Sequence, residues 1–157
     1  MEFSQERNDA LNFLQDHPLG TLSTISQTQK PELAAVYFIT RKDFSCLFVT
    51  KVGTRKFKNI TAHPSGSLLS YSEDLLYSVE VAGEVEIIKD TLEVAKAIES
   101  FQEVASARHA QYWIPPVSQL QAGQYAVCKL VPAAVHIHSY ATDLDSDALP
   151  RQLSFKP

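Results

Sequence analysis

Short strand-like segments joined by tight turns constrain the fold of this 157-residue chain more than any other feature of its sequence. The segments are rich in apolar, aromatic and β-branched residues, and polar or proline-containing turns separate them. They span residues 19–25, 33–40, 45–50, 66–72, 77–88, 125–131 and 134–140. The turn at residues 41–43 is short enough to make the second and third segments an antiparallel hairpin. About seven such strands predict a small, mostly antiparallel β-barrel.

Three helical patterns are interleaved with these strands. The first covers residues 4–16, with Ser4 as a possible N-cap. The second begins after Thr54, a plausible N-cap, and ends before Pro64. The third runs from residue 91 to about 107, and Asp90 could cap it. Helices among antiparallel strands predict an α+β fold in which the helices pack on the ends and sides of the barrel.

The later strands contain two irregular positions, and the chain ends in a polar tail. Gly83 lies inside the fifth strand and predicts a bulge or a close backbone approach. Pro132 is expected to part the last two strands. The tail after residue 141 contains three aspartates, and we expect it to be loosely held. The predicted organisation is one barrel domain, residues 1–141, followed by a polar tail, residues 142–157.

The composition of the chain limits the classes of function that the protein can have. The net charge of -4 and the pI of about 5.7 argue against a nucleic-acid binder, since such domains usually carry a basic excess. No stretch is apolar for long enough to cross a bilayer, and no secretory signal is visible. Cys46 and Cys128 do not make a disulfide framework, and no metal-ligand spacing is present. We therefore expect a cytoplasmic protein that binds neither nucleic acid nor membrane.

Residues 50–60 carry the clearest functional signal. Four cations lie between Lys51 and Lys58, whereas no Asp or Glu occurs from residue 44 to residue 72. Gly53 provides a bend between a strand end and a new helix N-terminus. A helix N-terminus, threonine hydroxyls and cations together favour an anion site, most naturally for a phosphate. The alternative is a solvated basic helix start, in which the cations would oppose the helix dipole.

Four segments of the chain follow one another in a characteristic order and spacing: 19–24 (LGTLST) after the first helix, 31–38 (PELAAVYF), 48–64 (FVTKVGTRKFKNITAHP) and 78–86 (SVEVAGEVE). In the order and spacing of these segments, the chain resembles the pyridoxamine 5'-phosphate oxidase-like flavoproteins, which have the FMN-binding split-barrel fold. The resemblance covers residues 6–90 well and the remainder loosely. It implies that residues 1–141 form an FMN-binding split β-barrel with flanking helices.

The resemblance also implies a homodimer with two FMN molecules in the subunit interface. The phosphate would be held by the residues that correspond to the family's basic and hydroxyl groups: Thr50, Lys51, Arg55 and Lys56. The isoalloxazine ring would lie along Ala35, Val36 and Tyr37, and the second subunit would complete the pocket. For Thr50, Lys51 and residues 35–37, ordinary strand packing remains the alternative.

Further candidates lie later in the chain. Ser70 and Tyr71, at the end of the fourth strand, can reach the flavin in a split barrel. Trp113 could cover the flavin from the partner subunit or pack beside the third helix. His136 and His138 share a strand face, and such a pair can bind a metal or a haem. Because no third ligand is evident nearby, we predict no metal site and interpret these histidines as solvated or cleft-lining.

The predicted function is an FMN-binding flavoprotein, an oxidoreductase that uses a small-molecule substrate or an electron donor such as NAD(P)H. The catalytic residues are not identified, since the flavin itself performs the redox step. Pyridoxamine 5'-phosphate oxidase activity is not expected, because the tail offers only Arg151 where the oxidases of the family have an arginine-rich segment. Two alternatives remain: a non-catalytic module that binds FMN, haem or a deazaflavin for sensing or storage, and a cofactor-free interaction protein.

Overall fold

The computed structural model describes residues 2–107, 122–140 and 151–155. Within these ranges the chain forms three helices and seven strands, which confirms the α+β class. The helices are α1 (Glu2–Asp16), α2 (Arg55–Ala62) and α3 (Thr91–Ala107). The strands are β1 (Leu19–Ile25), β2 (Pro31–Thr40), β3 (Cys46–Lys51), β4 (Ser65–Ser72), β5 (Tyr77–Ile87), β6 (Tyr125–Ser139) and β7 (Arg151–Ser154).

The strands form one antiparallel sheet in the order β3-β2-β1-β4-β5-β6-β7. An additional pairing between β3 and β6 closes the first six strands into a barrel, so β7 is an extra strand on one edge. The predicted hairpin of β2 and β3 is present. This arrangement is the split barrel that the sequence predicts.

The barrel opens where β2 and β3 part. These two strands pair over only three positions, from Phe38 opposite Phe48 to Thr40 opposite Cys46. The preceding part of β2, residues 31–37, pairs with β1, while β3 continues to Lys51 paired with β6. The gap between the start of β2 and the end of β3 therefore lies directly beside the turn that leads into α2.

The prediction that Pro132 separates two strands is wrong, because β6 runs without interruption from Tyr125 to Ser139. Pro132 lies opposite Gly83, where the register between β5 and β6 shifts, and a bulge tolerates the missing proline N–H. The predicted bulge at Gly83 is therefore confirmed. A Cβ at Gly83 would stand 1.9 Å from the Val131 carbonyl oxygen, so only glycine permits this backbone approach.

Residues 151–155 are also more ordered than the sequence predicts. Residues 151–154 form β7, which pairs with residues 134–137 of β6. Arg151 forms an ion pair with Glu6 of α1, and the ring of Phe155 packs on Phe44 at 5.6 Å. The expectation of a loosely held tail is therefore wrong for residues 151–155, because apolar contacts and strand pairing fix them to the barrel.

Helices α1 and α3 pack against different parts of the barrel. The main core fills the barrel and includes Ala10, Phe13 and Leu14 of α1. A smaller cluster on the outer face of β3 and β6 packs against Ala97 and Phe101 of α3. The predicted cap of α3 is present, since Asp90 accepts a hydrogen bond from the Glu93 N–H at 2.8 Å. None of the described helices is both long and apolar enough to cross a membrane.

Candidate functional site

The turn between β3 and α2 has the local geometry that its sequence predicts. Gly53 has φ +83°, a left-handed conformation that glycine adopts without strain. Thr54 is the N-cap of α2, and its side chain accepts a hydrogen bond from the Phe57 N–H at 3.5 Å. The same hydroxyl donates to the Lys51 carbonyl at 2.7 Å. The turn therefore holds the first N–H groups of α2 beside the end of β3.

A pocket of about 390 Å³ opens between this turn and the start of β2. It is lined by the three cations Lys51, Arg55 and Lys56, by hydroxyl groups, by one carboxylate and by several apolar side chains. The other lining residues are Thr24, Glu32, Leu33, Ala34, Val49, Thr50, Thr54 and Tyr125. All four residues predicted to hold the phosphate, Thr50, Lys51, Arg55 and Lys56, thus line one pocket.

The three cations differ in their exposure to solvent. Lys51 is exposed, and the Arg55 side chain is 67% exposed. Lys56 is partly buried, and burial lowers the pKa of its ammonium group from the ordinary value. A cation that is partly desolvated interacts more strongly with a nearby anion than one in bulk water does. Lys56 is therefore the cation that would gain most from an anion in the pocket.

Two threonine hydroxyls stand together on the pocket wall. Thr50 is buried, and its Oγ1 lies 3.5 Å from the Oγ1 of Thr54. Its position at the end of β3 follows from strand pairing, because Thr50 lies opposite Ala126 of β6. Hydroxyls, helix N–H groups and cations are complementary to phosphate oxygens. Within the described residues, this pocket combines all three kinds of group.

A hydrogen-bonded chain crosses the pocket floor and ends at Arg55. The buried Asn59 donates through Nδ2 to Thr24 Oγ1 at 3.1 Å and to Glu32 Oε2 at 2.7 Å. The same Glu32 oxygen lies 3.2 Å from Arg55 Nε. Arg55 Nη2 also donates to the Leu33 carbonyl at 3.5 Å. The guanidinium is therefore held against β2 from two sides.

A second pocket, of about 330 Å³, adjoins the first on the side of the β1–β2 turn. Its lining is polar and contains the exposed Lys58: Ser26, Gln27, Thr28, Glu32, Arg55, Lys58 and Asn59. Glu32 and Arg55 line both pockets. The ion pair between them therefore stands on the boundary between the two spaces.

The residues predicted to lie along a flavin ring take different positions on β2. Ala35 and Tyr37 are exposed and point to the outside of the barrel, whereas Val36 is buried in the main core. Alternation along a strand makes this division unavoidable. Ala34, which was not predicted, lines the pocket beside Leu33. The structure thus places neither Ala35, Val36 nor Tyr37 in the pocket lining.

The remaining predicted cofactor residues are also separated. Ser70 is fully buried, and its hydroxyl donates to the His17 carbonyl at 2.8 Å, which ties β4 to the start of β1. Tyr71 is exposed on the outer face of β4. Neither residue lines the first pocket. Trp113 lies outside the described residues.

An exposed apolar surface covers the outside of β2, β1 and β4. Its members are 38% to 67% exposed: Leu19, Leu33, Tyr37, Leu69 and Tyr71. Strand pairing makes the surface continuous, since Leu19 lies opposite Tyr37 and Thr21 opposite Leu69. Leu33 belongs both to this outer apolar face and to the lining of the first pocket. Contiguous exposed apolar surface is typical of interaction sites.

The histidines and cysteines provide no metal or thiol site within the described part of the chain. His136 Nδ1 lies 3.3 Å from Glu80 Oε2 without the alignment of a hydrogen bond, and the His138 ring stacks on Tyr140. No group of three His, Cys, Asp or Glu residues there could hold a metal ion. Burial raises the pKa of the Cys46 and Cys128 thiols to about 12, so neither is a thiolate near neutral pH.

Glu32 and Asn59 are the main residues that sequence reasoning missed. Asn59 is four positions after Arg55 on α2, so it shares a helix face with that arginine, and this spacing was a usable signal. Glu32 comes from β2, far from α2 along the chain. Its position beside Arg55 depends on how the barrel closes, and local sequence patterns do not encode that closure.

Comparison with protein families gives one match over most of the chain. The family model of pyridoxamine 5'-phosphate oxidase matches residues 8–139. A comparison with curated proteins gives no significant match. The matched residues include all six strands of the barrel and span both pockets.

Solved structures share the fold at low sequence identity. A haem-binding protein from Mycobacterium smegmatis has a TM-score of 0.70 and 17% identity over 94% of this chain, which spans 57% of that protein. A pyridoxamine 5'-phosphate oxidase-related, FMN-binding protein from Nostoc punctiforme has a TM-score of 0.63 and 15% identity over 99% of this chain and 96% of that one. An F420 reductase has a TM-score of 0.63 and 21% identity, covering 79% of this chain and 93% of that one.

Proposed function

Because the chain belongs to the pyridoxamine 5'-phosphate oxidase family, we propose that it is an FMN-binding flavoprotein with its phosphate site in the pocket between β3, α2 and β2. One observation carries this proposal: Thr50, Lys51, Arg55 and Lys56 line a single pocket at the N-terminus of α2. The match to this family and an FMN-binding relative of the same fold are consistent with it.

The pocket suits a phosphate monoester in charge and in hydrogen-bonding groups. Arg55 and Lys56 occupy the first turn of α2, where cations oppose the helix dipole by about 0.3–1 kcal/mol each. A bound dianion would interact favourably with both the side chains and the helix N-terminus. In this role Thr54 holds the helix N-terminus, and Thr50 offers a buried hydroxyl.

We further propose that the flavin lies in the interface of a homodimer. The outer apolar face meets the phosphate pocket at Leu33, so a ring attached to a phosphate in the pocket can extend onto that face. A second copy of the chain would bury the exposed Leu69 and Tyr71 and exclude water from the ring. When bound, the flavin supplies the hydride or electron chemistry, and the protein orients it.

The experiment for the phosphate site compares two flavins that differ only in that group. FMN and riboflavin are titrated into the purified protein, and binding is followed by flavin fluorescence. We expect FMN to bind at least tenfold more tightly, because a charge-assisted hydrogen bond contributes roughly 1.5–3 kcal/mol. Equal affinities for the two flavins would contradict the proposed phosphate site.

The experiment for the dimer uses two leucines of similar chemistry. Leu69 lies on the outer apolar face, and Leu92 is exposed on α3. We expect Leu69→Glu to convert a dimer to a monomer in light scattering and to weaken FMN binding, since a charge would be buried in the interface. The matched variant Leu92→Glu should leave both properties unchanged. A monomeric wild-type protein would overturn this part of the proposal.

The redox role is proposed as that of an oxidoreductase, with a donor such as NAD(P)H. Anaerobic mixing of the FMN-loaded protein with NAD(P)H should bleach the flavin absorption band. A flavin that no pyridine nucleotide reduces would favour the non-catalytic alternative.

Haem and F420 remain competing cofactors, because relatives of the same fold carry those names. A cytoplasmic location is proposed as well, and the free thiols of Cys46 and Cys128 suit a reducing compartment.

A further inference from the structure

An ion pair between Glu32 and Arg55 lies at the boundary between the two pockets, and the buried Asn59 holds the carboxylate in place. Glu32 and Arg55 line both spaces, and their Oε2 and Nε atoms are 3.2 Å apart. Asn59, only 4% exposed, fixes the carboxylate with a 2.7 Å hydrogen bond and is itself bonded to Thr24. The carboxylate side chain is 26% exposed, against 67% for Arg55. Glu32 is therefore the better-fixed member of the pair.

Glu32 is an acidic residue in a pocket whose other charged residues suit an anion. The first pocket is lined by three cations and, among the described residues, by Glu32 as its one acid. The second pocket repeats the pattern, with Arg55, Lys58 and Glu32. An anion that occupied only the first pocket would have Lys51 and Lys56, which line that pocket alone, to offset the carboxylate of Glu32. An anion that extended across the boundary would meet Glu32 at close range, and like charges at that distance repel strongly.

We propose that Glu32, held by Asn59 and paired with Arg55, is a specificity-determining residue that limits the site to a single terminal phosphate. The inference rests on the proposed phosphate site and adds to it the class of ligand that the site rejects. Flavins with a diphosphate tail, such as FAD, and inorganic pyrophosphate would need the second pocket for their second phosphate. Both the charge of Glu32 and its ion pair with Arg55 oppose that entry.

The test measures phosphate selectivity in wild type and in Glu32→Gln. Glutamine keeps the size of the side chain and an oxygen that can accept from Asn59, but it removes the charge. Affinities for FMN, FAD, inorganic phosphate and pyrophosphate are measured by calorimetry. We expect the wild type to prefer FMN to FAD, and phosphate to pyrophosphate. In Glu32→Gln, each preference should fall at least tenfold, chiefly because the diphosphate ligands bind more tightly.

Glu73→Gln is the matched control, because Glu73 is an exposed acid in the turn between β4 and β5, at the opposite end of the barrel. It should keep the wild-type preferences. Preferences unchanged in Glu32→Gln would overturn the inference while leaving the phosphate site intact. If FMN does not bind but the preference between phosphate and pyrophosphate still shifts, the flavin proposal fails and the inference stands. If the wild type binds none of the four ligands, both are overturned.

Discussion

The two ends of the barrel are closed by helices of opposite character. At one end α1 inserts Ala10, Phe13 and Leu14 into the main core, all at most 6% exposed. At the other end α2 contributes Ile60 to the same core, but it also buries the polar Asn59 and lies beside a pocket lined with charge. At the α1 end these apolar contacts stabilise the fold. The difference predicts that stability and ligand binding depend on opposite ends of the barrel, so substitutions at each end should affect different measurements.

The largest effect on stability is expected at the apolar end. Leu14→Ala removes a fully buried side chain and leaves a cavity beside the barrel core. We expect the free energy of unfolding to fall by about 2–5 kcal/mol, measured by urea denaturation. FMN affinity of the folded protein should stay within about twofold of wild type. A large loss of affinity at unchanged stability would contradict the separation of the two ends.

The largest effect on binding is expected at the polar end. Arg55→Ala combined with Lys56→Ala removes two of the cations that line the proposed phosphate pocket. FMN affinity should fall at least tenfold, since each charge-assisted hydrogen bond contributes roughly 1.5–3 kcal/mol. Riboflavin affinity should hardly change, and circular dichroism should show an intact fold. Unchanged FMN affinity in the double variant would place the phosphate elsewhere.

A smaller effect that combines stability and binding is expected at Thr54. Thr54→Ala removes the N-cap of α2 and the hydrogen bond to the Lys51 carbonyl. The loss in unfolding free energy should be about 1 kcal/mol. Thr54→Ser, which keeps the hydroxyl, should restore most of it. FMN affinity should fall a few-fold in the alanine variant, because the helix N-terminus is less well held. Identical stability of the two variants would exclude the capping role.

The smallest effect concerns pH at the turn between β2 and β3. Burial alone would raise the pKa of Asp43, but hydrogen bonds from the Ser45 hydroxyl and N–H outweigh it and hold the pKa below the ordinary value. A depressed folded-state pKa gives stability that is present above the unfolded pKa and lost as pH falls through the folded one. Wild type should therefore lose slightly more stability than Asp43→Asn between pH 5 and pH 3, by less than about 1 kcal/mol. Parallel pH profiles of the two proteins in thermal melts would contradict this.

A region of the structure could be predicted from the sequence where residues close to one another along the chain determine its conformation. The turn at Gly53 and the cap at Thr54 follow from residues that touch each other along the chain, and both are confirmed. Pro132 was misjudged because its tolerance depends on Gly83 in a neighbouring strand. The pairing of residues 151–154 with β6 is likewise set by tertiary packing and not by strand propensity.

The candidate site shows the same limit. The predicted cations assemble in one pocket because they lie within one strand-turn-helix unit. Glu32, in contrast, lies beside Arg55 because of the way in which the barrel closes and β2 separates from β3. The placement of a flavin ring along residues 35–37 stays a prediction; strand alternation buries Val36 and leaves Ala35 and Tyr37 exposed.

The most direct measurement of the central claim is a crystal structure of the protein grown with excess FMN. The account predicts the phosphate in the pocket between β3, α2 and β2, within hydrogen-bond distance of Arg55, Lys56 and Thr50. It also predicts the ring on the outer apolar face, covered by a second copy of the chain. Arg55 and Lys56 pointing into bulk solvent, with the FMN phosphate bound elsewhere, would contradict it.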